Sequence, residues 1–356
     1  MGRLKIVGRG ETEQVAFPES AIRRQPFAVI PLGNEGDRPE GARIQEKLKA
    51  FFRWEAEKAP REMARAMLAI DSYSVEGYDS AAGMVTLGFK YQATAAQGEA
   101  DGAYFCHTEE EIAGVLREAL LAHKQEIVIL RPYEGTQMPE AHDYFEDAYR
   151  IHTEGCFNDG VYLKNCVKDI KNGFRQIYMG LCMLHYNVEY RTTLEQEEAL
   201  YKAVDEVIAS QGLDRPDKAV YDKITAVYRY ISSEVVYDYE YQRYTAYHAM
   251  IEKCAVCMGC ATLFYLFMRK LKVPAEYVAG IDAETGGRHA WNIVKLGAYW
   301  YNVDTTWENF VKGKRIMLTQ GKYFLKSAAD FKDHIRDARY MTEAFVTKHP
   351  MGTKSI

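Results

Sequence analysis

Three residues in the C-terminal half of the chain, Cys257, His289 and Asp304, have the types and order needed to attack a carbonyl through a thiolate. Cys257 stands where a loop gives way to an apolar helical run through Ala261, Leu263, Phe264, Leu266, Phe267, Met268 and Leu271, stopped before Pro274. Unpaired N–H groups and the positive helix end stabilise an anion there, so a thiol is expected to ionise and react more readily. Gly259 is expected to leave the backbone unobstructed beside the sulfur. His289 opens one strand-like run, 289–296, and Asp304 closes the next, 299–304, with Gly297-Ala298 between them. If Leu296 pairs with Tyr299, Asp304 faces Trp291 and His289 is its diagonal neighbour; a slip of two residues sets His289 directly opposite. In either register both side chains share a face, because strand side chains alternate with period two. A carboxylate beside an imidazole fixes its tautomer and supports its positive charge. Trp300 and Asn302 share that face and are candidates to line the site. Spacing alone leaves plainer readings open: a cysteine is more often buried and inert, and a His–Asp pair also serves merely to staple a hairpin.

The combination is more specific than its parts. The run Ala255-Val256-Cys257-Met258-Gly259-Cys260-Ala261, then His289-Ala290-Trp291-Asn292, then Asp304-Thr305-Thr306-Trp307 closely resembles the transglutaminase-like superfamily of cysteine enzymes in its bacterial form. Thr245-Ala246-Tyr247 before the cysteine and Tyr299-Trp300-Tyr301-Asn302-Val303 before the aspartate add to the likeness, which covers about residues 215–325. The resemblance implies an α+β protein whose papain-like core sets a helix with an N-terminal cysteine on an antiparallel sheet. A small α/β domain and an N-terminal extension would precede that core. It further implies Cys257 as nucleophile, His289 as general base and then acid, and Asp304 as orienter. The Cys257 N–H would supply part of an oxyanion hole, with Tyr247 completing it and Trp291 and Asn302 in the cleft. The reaction so implied is attack on a peptide or protein amide to give a thioester. Water would then release an acid, as in a protease or amidase; a lysine amine would instead give a cross-link. Hydrolysis is the first expectation, because many bacterial relatives are hydrolytic; a scaffold that keeps the fold without turnover is the rival from another class. His248 and Cys260 depart from the family pattern at the cleft wall, which bears on substrate preference more than on the triad.

Other signals are weaker. Cys254-x-x-Cys257-x-x-Cys260 offers three thiolates with no fourth ligand nearby, a poor zinc framework, so neither a metal nor a cofactor is expected. A disulfide from Cys257 to Cys254 or Cys260 would act as a redox off-switch. The tyrosines from Tyr228 to Tyr247 are expected to be ordinary core packing, with a substrate groove as the alternative. His107, His142 and His185 have no partners at motif spacing.

The elements that must position the triad follow from periodicity. Residues 1–100 read as an N-terminal extension, with a Gly/Pro/Asp stretch at 33–39, helical spacing across 41–70 and a strand at 84–91. Residues 101–195 read as an α/β accessory domain, 196–325 as the catalytic core and 326–356 as a C-terminal tail. Thr108 with Glu111 forms a capping-box signature, 126–130 a buried strand, and Val167, Ile170, Phe174 and Ile177 a helical stripe. Further helices are expected over about 193–210 and from Asp217, and a strand over 275–280.

With 47% hydrophobic and 27% charged residues, the chain can build a real core, so disorder is excluded. The net charge of −5, with scattered basic residues, argues against nucleic acid as a partner. No apolar run reaches membrane-spanning length, and the N-terminus lacks a signal-peptide core. Seven cysteines at irregular spacing do not form a disulfide framework, which points slightly to the cytoplasm, whereas family habit implies a secreted or surface location.

Overall fold

The computed structural model describes residues 17–31, 41–79, 81–91, 102–133, 143–178, 181–312 and 315–356. The stretch at 33–39 and His142 lie outside them. The chain divides into two compact units, one of Met1–Ala119, Lys124–Asp147 and Ile170–Val188, the other of Leu120–His123, Ala148–Asp169 and Glu189–Ile356.

In the first unit, α1 (Phe17–Ile22), α2 (Gly41–Lys58) and α3 (Pro60–Ala69) share a core with a three-stranded antiparallel sheet. Its strands are β1 (Phe27–Pro31), β2 (Ile70–Asp79) and β3 (Met84–Tyr91), in the order β1-β3-β2. Phe17, Leu48, Phe52, Met63, Ile30 and Leu87 fill that core. A second sheet runs β4 (Tyr104–Phe105), β5 (Glu126–Pro132), β7 (Leu181–Tyr190) and β6 (Val167–Tyr178). The expected capping box starts α4 (Glu109–Leu121): the Glu111 N–H donates to Thr108 Oγ1 at 3.1 Å, and the Thr108 N–H to Glu111 Oε2 at 3.4 Å. A short α5 (Tyr144–Ala148) completes the unit.

The helical stripe at 167–177 is a strand, β6, and this corrects the reading above. Residues 168, 169 and 171–174 are exposed, so the three-to-four-residue recurrence does not face a core. Pairing with β7 satisfies the backbone, and β-branched Val167, Ile170 and Ile177 favour that outcome.

In the second unit, α6 (Val161–Cys166), α7 (Leu194–Ser210) and α8 (Val220–Glu234) surround α9 (Cys257–Lys270). Thr193 and Gln196 form a complete capping box at the head of α7. Every residue of α9 from Gly259 to Met268 is buried, the pattern of a central helix packed on all sides. Two short parallel strands, β8 (Val236–Tyr237) and β9 (Cys254–Ala255), lead into α9. Against it lies the sheet β12 (Tyr299–Val303), β11 (Arg288–Leu296), β10 (Ala275–Asp282) and β15 (His334–Arg336), all antiparallel. The hairpin β13 (Asn309–Lys312) and β14 (Arg315–Leu318) and the helix α10 (Glu343–Lys348) follow in sequence. Helices and mainly antiparallel sheets therefore follow one another in blocks, the pattern of an α+β chain. Among the described residues, no helix is long and apolar enough to cross a membrane.

Candidate active site

A π-helix at His248–Glu252 ends on Lys253, whose φ of 55° turns the chain into β9. His248 stands at its start, where Thr245 Oγ1 lies 2.7 Å from Nδ1. Upstream, Asp238 accepts hydrogen bonds from the N–H groups of Glu240, Gln242 and Arg243 and so fixes the loop between β8 and the π-helix. The chain then enters α9 at Val256, which offers no side-chain cap, so the positive helix end faces Cys257. Cys257 is half-buried and in no disulfide.

Gly259 has a different reason from the one expected. A Cβ there would sit 2.8 Å from both the Thr245 carbonyl oxygen and Ala255 Cβ. The missing side chain lets the loop pack onto the first turn of α9, rather than clearing space for a substrate.

The register of β11 and β12 is the first of the two weighed: Leu296 pairs with Tyr299 and Asn292 with Val303. His289 Nε2 lies 2.7 Å from Asp304 Oδ2, and both are buried. With Nε2 given to Asp304, Nδ1 is left for Cys257, whose thiol is near enough to favour a proton on the ring. Asp304 is well satisfied, since its Oδ1 accepts from the N–H groups of Thr306 at 2.8 Å and Trp307 at 3.2 Å. The strand end that carries it is tied down by Glu308, which accepts from Tyr228 at 2.5 Å and from Thr319 and Gly321 at 2.7 Å.

Burial opposes charge on His289, but the Asp304 carboxylate, its hydrogen bond and the Cys257 thiol outweigh it and push the imidazole up to about 10. Burial works against the Asp304 charge as well, yet His289 and His334 together hold it well below the usual carboxylate range. Trp307 stacks on His289 with ring centroids 4.7 Å apart and screens the pair from water. Burial pushes the Cys260 thiol up to about 12, as for a structural thiol. Burial also raises Cys254, and all seven cysteines are unpaired.

The remaining expected site residues are placed differently. Trp291 and Asn302 are buried at 1% and 2% exposure, and Trp291 Nε1 donates to Asn302 Oδ1 at 3.3 Å. Asn302 also takes Arg336 at 2.7 Å, so both residues brace the sheet beneath the imidazole instead of lining a cleft. Tyr247 packs beside His248, whereas Tyr237 and Tyr277 are near enough for the Cys257 charge to act on their phenols. The tyrosine run is only partly core: Tyr228 is buried, while Tyr239 and Tyr241 are 75% and 59% exposed. The latter two lie in a turn between β8 and the π-helix, where no helix face draws them inward.

Sequence reasoning missed His334, which lies on β15 with Nε2 3.0 Å from the same Asp304 oxygen. Its sequence neighbours Asp333 and Ile335 carry no motif, and only the pairing of β15 with β10 brings it to the site. Among the described residues, His289, Asp304 and His334 also form the one group of three whose donor atoms lie close enough to hold a metal ion. The contacts of 2.7 and 3.0 Å to one shared oxygen are hydrogen-bond lengths.

Residues 208–305 match the model of the Transglutaminase-like superfamily. No curated protein matches the chain. Among solved structures it is similar to one described as "a TGase", at 16% identity and a TM-score of 0.29, covering 58% of this chain and 60% of that one. It is also similar to "a Putative Cysteine Protease from Cytophaga hutchinsonii", at 17% identity and a TM-score of 0.26, over 39% of this chain and 61% of that one. A "putative protease from Parabacteroides distasonis" matches at 9% identity and a TM-score of 0.21, over 51% and 43%. The chain thus spans 60%, 61% and 43% of the length of these structures.

Proposed function

With a transglutaminase-like core as the premise, we propose that this chain is a cysteine-dependent acyl-transfer enzyme acting on peptide or protein amides. Cys257 is the nucleophile, His289 the base and then acid, and Asp304 the orienter. The observation that carries this reading is the buried His289–Asp304 pair, whose imidazole feels the Cys257 thiol, with Cys257 heading a helix. The thiolate forms a C–S bond to the amide carbon, and the C–N bond breaks as His289 passes its proton to the departing amine. A thioester remains. Water, deprotonated by His289, then releases the acid and restores the thiol, so the enzyme is a hydrolase. The Cys257 N–H is part of the oxyanion hole, and a tyrosine completes it, with Tyr237 and Tyr277 joining Tyr247 as candidates because charge at Cys257 acts on their phenols.

Mass spectrometry of a peptide mixture incubated with the full chain, with and without a lysine-like amine, tests this. Cleavage or deamidation that is lost in Cys257→Ala supports hydrolysis. Amine incorporation would make the enzyme a cross-linking transglutaminase. No mass change in any peptide, with Cys257 alkylated no faster than a free thiol, would sink the enzyme reading.

A further inference from the structure

The Asp304 oxygen that receives His289 receives a second imidazole as well, and that ring leads outward. His334 Nε2 is 3.0 Å from Asp304 Oδ2, and its Nδ1 is 2.8 Å from Asp333 Oδ1. The His334 side chain is 0% exposed, whereas the Asp333 side chain is 37% exposed. Asp333 is in turn approached by the Tyr323 hydroxyl at 3.2 Å and by Lys322 Nζ at 3.9 Å. His289, Asp304, His334 and Asp333 therefore form one chain of polar contacts from the imidazole that feels the Cys257 thiol to solvent.

The His334 ring is boxed by aromatic faces. Phe331 stacks on it at 3.9 Å, Trp307 lies at 4.3 Å and Trp291 at 4.9 Å. Packing on several sides leaves the ring one orientation, and that orientation aims both nitrogens at carboxylates. A neutral imidazole can donate to only one of two facing carboxylates, so the tautomer of the ring decides which of them it holds. The titratable groups facing it are Asp304, Asp333 and His289, with Tyr323 and Lys322 one contact further out.

We propose that His334 is a positioning residue for the thiol site: by donating Nε2–H to Asp304 Oδ2 it fixes the carboxylate that orients His289, and it couples the site to Asp333 at the surface. The role rests on the acyl-transfer reading of Cys257, His289 and Asp304. Without His334, Asp304 Oδ2 would keep one hydrogen bond instead of two, and the carboxylate would be held only by His289 and, on Oδ1, by the Thr306 and Trp307 N–H groups. The His289 ring would then sit against a less firmly oriented carboxylate and lose part of its support as a cation. Outer hydrogen-bond partners of metal-bound histidines typically change activity about 10–100-fold, and a loss at the lower end of that range is expected for this His–Asp pair.

The test is the rate of Cys257 alkylation by iodoacetamide against pH, on the full chain as wild type, His334→Leu, His334→Gln and Asp333→Asn, with folding checked by circular dichroism. His334→Leu is expected to slow labelling at neutral pH about tenfold or more and to move the basic limb of the profile to lower pH. His334→Gln keeps an N–H donor of similar reach and is expected to restore most of the rate. Asp333→Asn should fall between the two. A wild-type profile in His334→Leu, with His289→Ala still abolishing fast labelling, overturns the role of His334 and leaves the acyl-transfer reading standing. Slow labelling of the wild type itself overturns both. Loss of labelling in EDTA with return on adding Zn2+ would make the cluster a metal centre and overturn the positioning role. If His334→Leu does not fold, nitrogen-15 NMR of histidine-labelled wild type decides: a protonated, hydrogen-bonded His334 Nε2 supports the role, and an unprotonated Nε2 overturns it.

Discussion

His289 sits under two opposed pressures, and the balance between them sets the pH behaviour of the site. Burial alone would favour the neutral ring, as it does for His248, whose affinity for a proton is lowered by burial. Asp304 reverses this for His289 and lifts it to about 10. A raised folded-state value means that the contribution to stability is whole below about 6.5, the ordinary histidine value, and is lost as pH rises through about 10. Asp304 behaves oppositely: its depressed value contributes above about 3.9 and is lost as pH falls through the folded value. The pair therefore stabilises most between roughly pH 4 and 6.5. Melting temperatures from pH 6 to 10 should fall more steeply for the wild type than for His289→Gln; parallel curves would contradict the ion pair. Removing the Trp307 ring exposes the same pair to water, which weakens the Asp304–His289 attraction by raising the local dielectric.

At the scale of elements, the site depends on how closely β15 approaches β10. Gly280 pairs with Arg336, and a Cβ at Gly280 would lie 2.0 Å from the Ile335 carbonyl oxygen and 2.8 Å from Trp291 Cη2. Backbone cannot yield as a flexible side-chain tip does, so the strands would have to separate. Gly280→Ala is expected to destabilise the chain by about 1–3 kcal/mol in urea denaturation, the usual range for overpacking. Because His334 rides on β15, the same change should slow Cys257 alkylation. Gly114→Ala makes the control, as nothing lies within 4 Å of its added carbon. Equal stability of the two variants would show that β15 does not need this glycine. The helix side of the site has a matching device in Gly259, where loop and helix meet at a distance that only glycine allows.

At the scale of the molecule, the residues beyond 325 are part of the unit that holds the triad. Trp300 donates its N–H to the Pro350 carbonyl and receives the Gly352 N–H, both at 2.9 Å. Asn302 exchanges backbone hydrogen bonds with Lys326, at 2.8 and 2.9 Å. The free edge of β12 is thus covered by the end of the chain, and an uncovered edge invites pairing with other molecules. A chain stopped after residue 325 should lose β15 and this cover together. It is expected to aggregate in light scattering and to be cut faster by trypsin within 275–303, whereas a soluble, resistant truncated chain would show that the segment is dispensable.

The sequence by itself determined the local terms: which residues carry chemistry, which face of a hairpin His289 and Asp304 share, and where α9 begins. Each of these follows from a short-range rule, namely alternation along a strand, a two-residue turn, or an apolar run stopped by proline. The capping box at Thr108 was legible for the same reason. Tertiary structure decided the rest. Whether 167–178 became strand or helix depended on β7 as a partner. Trp291 and Asn302 turned inward because each satisfies the other. His334, 30 residues beyond Asp304, entered the site through a strand pairing that no local pattern announces. Contacts of that kind come from chain closure over long separations, where burial and hydrogen bonding are shared by segments that carry no mark of one another.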